Sequence, residues 1–75
     1  MDNRLNCLVT HARHAGRWSR MRDDAMAQAR CATRPELRLI RVQQAREWNH
    51  EMLWNLRQVS DIKRSIRQSL WETQS

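Results

Sequence analysis

The chain has 75 residues, a net charge of +6, and 13 arginines against a single lysine. So short a chain forms one small domain, residues 1–75, and buries only about 60% of the surface that it exposes when unfolded. Phe and Tyr are absent, and Gly and Pro occur once each, which favours helices over strands. No apolar run approaches the roughly 20 residues that cross a bilayer. We therefore expect an all-α protein that does not span a membrane.

Two short helical segments are predicted before a long one. The first, residues 1–16, is a helix or an arm, and Gly16 is its expected end because glycine readily adopts the left-handed conformation that follows many helices. The second, residues 17–32, is a helix whose inward side is mostly alanine. Alanine lets helices approach closely but supplies little buried area.

The third segment, residues 33–73, is predicted to be one long helix. Thr33 and Glu36 match the capping box, in which two side chains bind free backbone N–H groups, and proline at position 35 is tolerated in a first turn. Apolar residues then recur about every 3.6 residues, the period of one helix face. The short link to the second segment predicts an antiparallel helical hairpin.

The long helix is predicted to extend beyond its own hairpin. A second helix of about 14 residues is only about 21 Å long, so it reaches no further than Met52. The stripe beyond Met52 is therefore expected to bind a second copy of the chain, as a homodimer, or another protein. Its heptad register is imperfect, because Asn55 and Ser69 occupy core positions, which favours a short antiparallel dimer or a small bundle. The predicted seam residues are Leu56, Val59, Ile62, Ile66 and Leu70.

A weaker apolar flank of Val42, Leu53 and Trp71 lies about 100° around the long helix from this stripe, and Trp54 faces nearly opposite the stripe. A helix with two apolar sides is typical of one that contacts two neighbours. Tryptophan and arginine are enriched among the residues that dominate protein interfaces. The partner-binding residues predicted on this basis are Leu53, Trp54, Arg57, Arg41 and Arg46.

A basic patch is predicted between residues 13 and 22. Guanidinium groups bind carboxylates and phosphates through paired hydrogen bonds, so the partner is either a protein with an acidic surface or a nucleic acid. The patch consists of Arg13, Arg17, Arg20 and Arg22.

No catalytic, cofactor or metal site is predicted. The chain has no glycine-rich phosphate loop and no nucleophile motif, and it is small for a substrate pocket. Cys7, His11 and His14 have helical spacing and zinc-ligand chemistry, but an antiparallel partner of His11 would lie near Met21 rather than Cys31. We expect no small-molecule substrate and no enzymatic activity.

These patterns predict a small protein-binding regulator or inhibitor that docks helical surfaces onto a larger protein. The composition is typical of phage- or plasmid-encoded modulators of host proteins. The alternative is a nucleic-acid-binding transcription regulator that uses the arginine-rich surface, and a third interpretation is a structural subunit. Two cysteines do not form a disulfide framework, and the N-terminus lacks a signal-peptide pattern, so the expected compartment is the cytoplasm.

Overall fold

The computed structural model describes residues 3–74, without the side chain of residue 74, and within this range the chain forms two α-helices. Helix α1 spans Arg4–Cys31 and helix α2 spans Pro35–Gln74. Their 28 and 40 residues correspond to about 42 and 60 Å of helix. The molecule is accordingly a rod of 61 × 17 × 12 Å. The predictions of an all-α fold and a helical hairpin are confirmed, and neither described helix is long and apolar enough to cross a membrane.

Gly16 does not end a helix, because α1 continues through it without a positive φ. The prediction of three segments, with residues 1–16 as a separate helix or arm, is therefore wrong. Glycine inside a helix costs only about 1 kcal/mol relative to alanine. Continuing the helix brings Arg4 against the far end of α2, where its Nη1 donates to the hydroxyls of Ser65 and Ser69 at 3.0 and 2.8 Å. This packing outweighs the local preference of glycine.

Gly16→Ala is expected to stabilise the hairpin. A Cβ built at Gly16 meets no atom within 4 Å, so the new methyl group fits while the backbone loses unfolded-state freedom. The free energy of unfolding should rise by about 0.5–1 kcal/mol, measured by urea denaturation. The reverse change at the exposed Ala27, Ala27→Gly, should lower it by a similar amount. A destabilised Gly16→Ala variant would contradict an uninterrupted α1.

Helix α2 begins one residue later than the capping box predicts. The carbonyl of Arg34 accepts the first helical bond from the N–H of Arg38 at 3.1 Å, so Arg34 is the N-cap and Pro35 the first helical residue. The cause is proline, which disfavours helical geometry in the residue before it. The hydroxyl of Thr33 has no hydrogen bond within residues 3–74. The predicted N-cap is therefore wrong, although Glu36 still places a negative charge in the first turn.

The two helices pack antiparallel along a seam in which residues alternate at spacings of three and four. Each seam residue of both helices is buried or half-buried. The α1 seam comprises Arg4, Leu8, His11, Ala15, Trp18, Arg22, Ala25 and Ala29, and the α2 seam comprises Arg41, Ala45, Trp48, Met52, Asn55, Val59, Ile62, Ile66 and Ser69. The heptad register predicted for the long helix thus faces α1. The predicted limit of coverage at Met52 is wrong, because α1 is about twice as long as the predicted second segment.

The core of the hairpin is thin. Its most buried residues are four alanines and one asparagine, and no large side chain among residues 3–73 is fully buried: Ala15, Ala25, Ala29, Ala45 and Asn55. Small side chains let the helix backbones approach closely but remove little apolar area from water. Eleven large apolar side chains among the described residues are instead exposed on the surface.

Candidate functional site

One broad side of the hairpin, called here the apolar face, carries large exposed apolar side chains. Val42, Leu56 and Leu70 share one heptad position, so they lie on the same side of α2. At one end of the hairpin Leu5 and Leu70 line a hollow of about 310 Å³, and at the other end Met26 and Val42 line one of about 360 Å³. The apolar face comprises Leu5, Val9 and Met26 of α1 and Leu39, Val42, Leu53, Leu56 and Leu70 of α2.

The apolar face is much more exposed than a protein interior. Leu5 is 65% exposed, Leu70 60% and Leu53 52%, and seven of the eleven exposed large apolar side chains among the described residues belong to this face. The chain has 6,336 Å² of accessible surface, whereas a compact chain of 9.1 kDa has about 4,900 Å². Exposed apolar side chains concentrated on one side of a stable protein mark an interaction site.

Positive charge surrounds the apolar face. Its basic rim consists of Arg30, Arg38, Arg46, Lys63 and Arg67, and all but Arg38 lack a hydrogen bond or ion pair within the described chain. Arg30 and Arg38 line a further hollow with Met26, and Arg46 lines the hollow beside Val42. The acidic residue on this side, Asp23, is bound by the Arg22 guanidinium at 3.1 Å. The face therefore combines apolar area with unneutralised positive charge.

The predicted partner-binding residues do not form one patch. Leu53 and Arg46 lie on the apolar face and its rim. Trp54 lies on the other side of α2, where it is 50% exposed and packs edge-to-face on His11 with ring centroids 5.6 Å apart. Arg57 is exposed on the outward side of α2. Of the predicted seam residues, Leu56 and Leu70 belong to the apolar face, whereas Val59, Ile62 and Ile66 are half-buried against α1.

Two arginines predicted to bind partners are used inside the hairpin. Arg22 is predicted to belong to the basic patch but lies in the seam. Its Nη1 donates to Asn49 Oδ1 at 2.8 Å, and its Nη2 contacts Asp23. Arg41 is half-buried in the seam and donates from Nη1 to Gln44 Oε1 at 3.0 Å. Heptad spacing alone could have found both, since each occupies a seam position.

The other three arginines of the predicted patch form a basic ridge on the outer side of α1. Arg13, Arg17 and Arg20 line one shallow hollow together with Thr10 and His14. None of the three arginines has a hydrogen bond or an ion pair to the described residues. The basic ridge, defined as Arg13, Arg17 and Arg20, is thus open to an external anion.

A polar pair inside the seam was not predicted. Asn55 is 3% exposed, its Nδ2 donates to the Glu51 carbonyl at 2.8 Å, and its Oδ1 is 2.9 Å from His11 Nδ1. Because an amide oxygen only accepts, His11 carries a proton on Nδ1 in this pair. A buried asparagine with one matching partner favours a single register of two helices. The sequence placed Asn55 at a core position but did not identify its partner on α1.

The two cysteines lie near opposite ends of α1. Cys7 and Cys31 are separated by about 36 Å of helix, far more than the roughly 7 Å that a disulfide spans. Both are exposed free thiols. His11 is turned towards Asn55, and residues 3–73 contain no group of three His, Cys, Asp or Glu side chains placed to hold a metal ion.

Comparisons with protein-family models, with curated proteins and with solved structures find no match to this chain. The surfaces of the hairpin that are open to a partner are the apolar face with its basic rim and the basic ridge on the outer side of α1.

Proposed function

We propose that this chain is a small non-enzymatic regulator or inhibitor that binds a larger protein with an acidic surface. The observation that carries the proposal is the apolar face, whose leucines remain about half exposed or more in the hairpin, as at Leu5, Leu53 and Leu70. Each such side chain contributes about 1.5–3 kcal/mol when it is fully buried. Burial against a partner would supply the apolar stabilisation that the alanine-rich core lacks.

Charge supports an acidic partner rather than a neutral one. The net charge is +6, and the basic rim holds four cations without a partner in the described chain. Complementary charge accelerates association and selects among partners. We propose the cytoplasm as the compartment, because the exposed thiols of Cys7 and Cys31, which are too far apart to pair within the chain, would stay reduced there.

Homodimerisation is the competing proposal for the apolar face. The predicted dimer seam is only partly available, because Val59, Ile62 and Ile66 face α1 in the hairpin. Leu56 and Leu70 remain available to a second copy. Sedimentation of the full chain at micromolar concentration distinguishes a second copy from a foreign partner. A dimer that Leu56→Asp dissociates would favour the second copy.

The test is affinity capture from the native host with nuclease treatment. The full chain should retain one protein after nuclease digestion. The Leu56→Asp bait, which changes only the apolar face, should lose it. A matched bait, Gln68→Asp, adds the same charge at an exposed site on the opposite side of α2 and should retain it. Absence of any nuclease-resistant protein would count against the proposed function.

Nucleic-acid binding is a second candidate, and the basic ridge favours it. Arg13, Arg17 and Arg20 project from successive turns with no acidic partner in the described residues. Three phosphate contacts predict a slope of about −2.7 for the logarithm of the association constant against the logarithm of salt concentration. Titration with random duplex and single strands at low and moderate salt would show this slope. No binding at low salt would remove the candidate.

A further inference from the structure

We infer that the occupant of the apolar face is one acidic amphipathic helix of the partner, which lies along α1 and α2 and completes a three-helix bundle. The inference rests on the proposed function and names the partner's chemistry. The shape and the charge of the apolar face both favour such a helix. A second copy is disfavoured because it would bring the same cations to the same surface.

The apolar face is shaped like a groove for a helix. Between Val9 and Met26, the α1 residues on this side of the helix are Ala12, Gly16, Ser19 and Asp23. The first three are small, so a third backbone can approach closely, and the Arg22 guanidinium binds the Asp23 carboxylate. The hollows beside Leu5 and beside Met26 lie at the two ends of this groove and can receive apolar side chains of an occupant. From Val42 to Leu70 the groove is about 42 Å long, which corresponds to a helix of about 28 residues.

The basic rim selects an acidic occupant. Arg46 and Arg67 lie beside the groove along α2, Lys63 lies in line with it between Leu56 and Leu70, and none of these three has a partner within the described residues. Acidic residues beside the apolar stripe of a third helix would meet these cations at the border of the interface. The acidic residues of α2, apart from Glu36 in its first turn, lie on the other side of the helix: Glu47, Glu51, Asp61 and Glu72.

A second copy fits the apolar face less well than an acidic helix. Two copies related by a two-fold axis present the same surface to each other. The interface would then receive five cations from each chain, including Lys63 between Leu56 and Leu70. Like charges brought together disfavour association.

The probe is a fluorescein-labelled synthetic helix of about 28 residues with leucine at the a and d positions of four heptads and glutamate at e and g. Its glutamates repel each other at neutral pH and oppose self-pairing. Two matched peptides serve as controls: one with lysine in place of glutamate, and one with the same acidic composition in scrambled order. Fluorescence anisotropy with the full-length chain measures the dissociation constant of each.

We expect the acidic amphipathic peptide to bind about tenfold or more tightly than either control. Leu56→Asp should weaken binding about 10- to 100-fold, the loss of one well-buried leucine, while Gln68→Asp leaves it unchanged. Lys63→Glu should weaken binding of the acidic peptide and strengthen binding of the lysine peptide. Leu53→Asp provides a second test at the same face if Leu56→Asp loses helicity by circular dichroism.

Equal binding of the ordered and scrambled acidic peptides would overturn the inference, because charge alone would then explain it. So would a dimer of the free chain that Leu56→Asp dissociates, since a second copy would occupy the face. Native capture that Leu56→Asp abolishes, together with no preference for the acidic amphipathic peptide over its controls, would preserve the proposed function and overturn this inference. If no protein is captured from the native host while the acidic peptide still binds, that result would count against the proposed function alone.

Discussion

Ile62→Asp is expected to unfold the hairpin, whereas Leu56→Asp is expected to leave it folded. Ile62 is half-buried in the seam against α1, so aspartate there removes apolar contacts and places a charge where water is restricted. Truncating a buried isoleucine costs about 2–5 kcal/mol, and a hairpin with so thin a core has little stability beyond that. Leu56 is 45% exposed on the apolar face, and its change should cost less than about 1 kcal/mol.

Circular dichroism during thermal and urea denaturation measures this difference. The two variants introduce the same side chain into the same helix, so the intrinsic helix preference of aspartate cancels in the comparison. Equal destabilisation by both changes would show that Leu56 is buried in the free protein. That result would place a second copy on the apolar face.

Ala25→Leu should also destabilise the hairpin strongly. Ala25 is 2% exposed in the seam between α1 and α2, so the three additional carbon atoms of leucine must displace side chains that pack against it. Overpacking of this kind costs about 1–3 kcal/mol, and here it must push the helices apart. The midpoint of urea denaturation should fall accordingly.

Ala27→Leu is the matched control for that change. Ala27 is exposed two residues further along α1, and leucine is nearly as good a helix former as alanine, so its stability should change by less than about 0.5 kcal/mol. If Ala25→Leu were as stable as Ala27→Leu, the seam would have to lie on another side of α1. The antiparallel register described above would then be wrong.

Much of the fold could be predicted from local signals. The absence of glycine and proline after Pro35 and the apolar period were sufficient for a long second helix, and the short link was sufficient for a hairpin. The end predicted at Gly16 failed because a local preference of about 1 kcal/mol is smaller than the packing of a whole half-helix. Thr33 failed as N-cap because proline acts on the residue directly before it.

The candidate site could be predicted only in part. The weaker flank of the long helix was visible as a pattern, and Leu53 on it does lie on the exposed face, while Arg46, predicted for its charge, lies at the rim. The sequence predicts the stronger stripe as the free surface, but in the hairpin Ile62 and Ile66 on that stripe pack against α1. A helical wheel ranks apolar faces without showing which one is covered by the chain's own second helix.

The sequence by itself determined the helical class, the hairpin, the heptad register of α2 and the positive charge, because each depends on residues close together along the chain. Only the tertiary structure decided which side of the hairpin remains exposed. That depends on the length of α1, which brings Arg4 to Ser65 and Ser69 and covers α2 almost to its end. Once the stripe is covered, most of the large apolar side chains left in water belong to the neighbouring flank, where leucines and unpaired cations occur together.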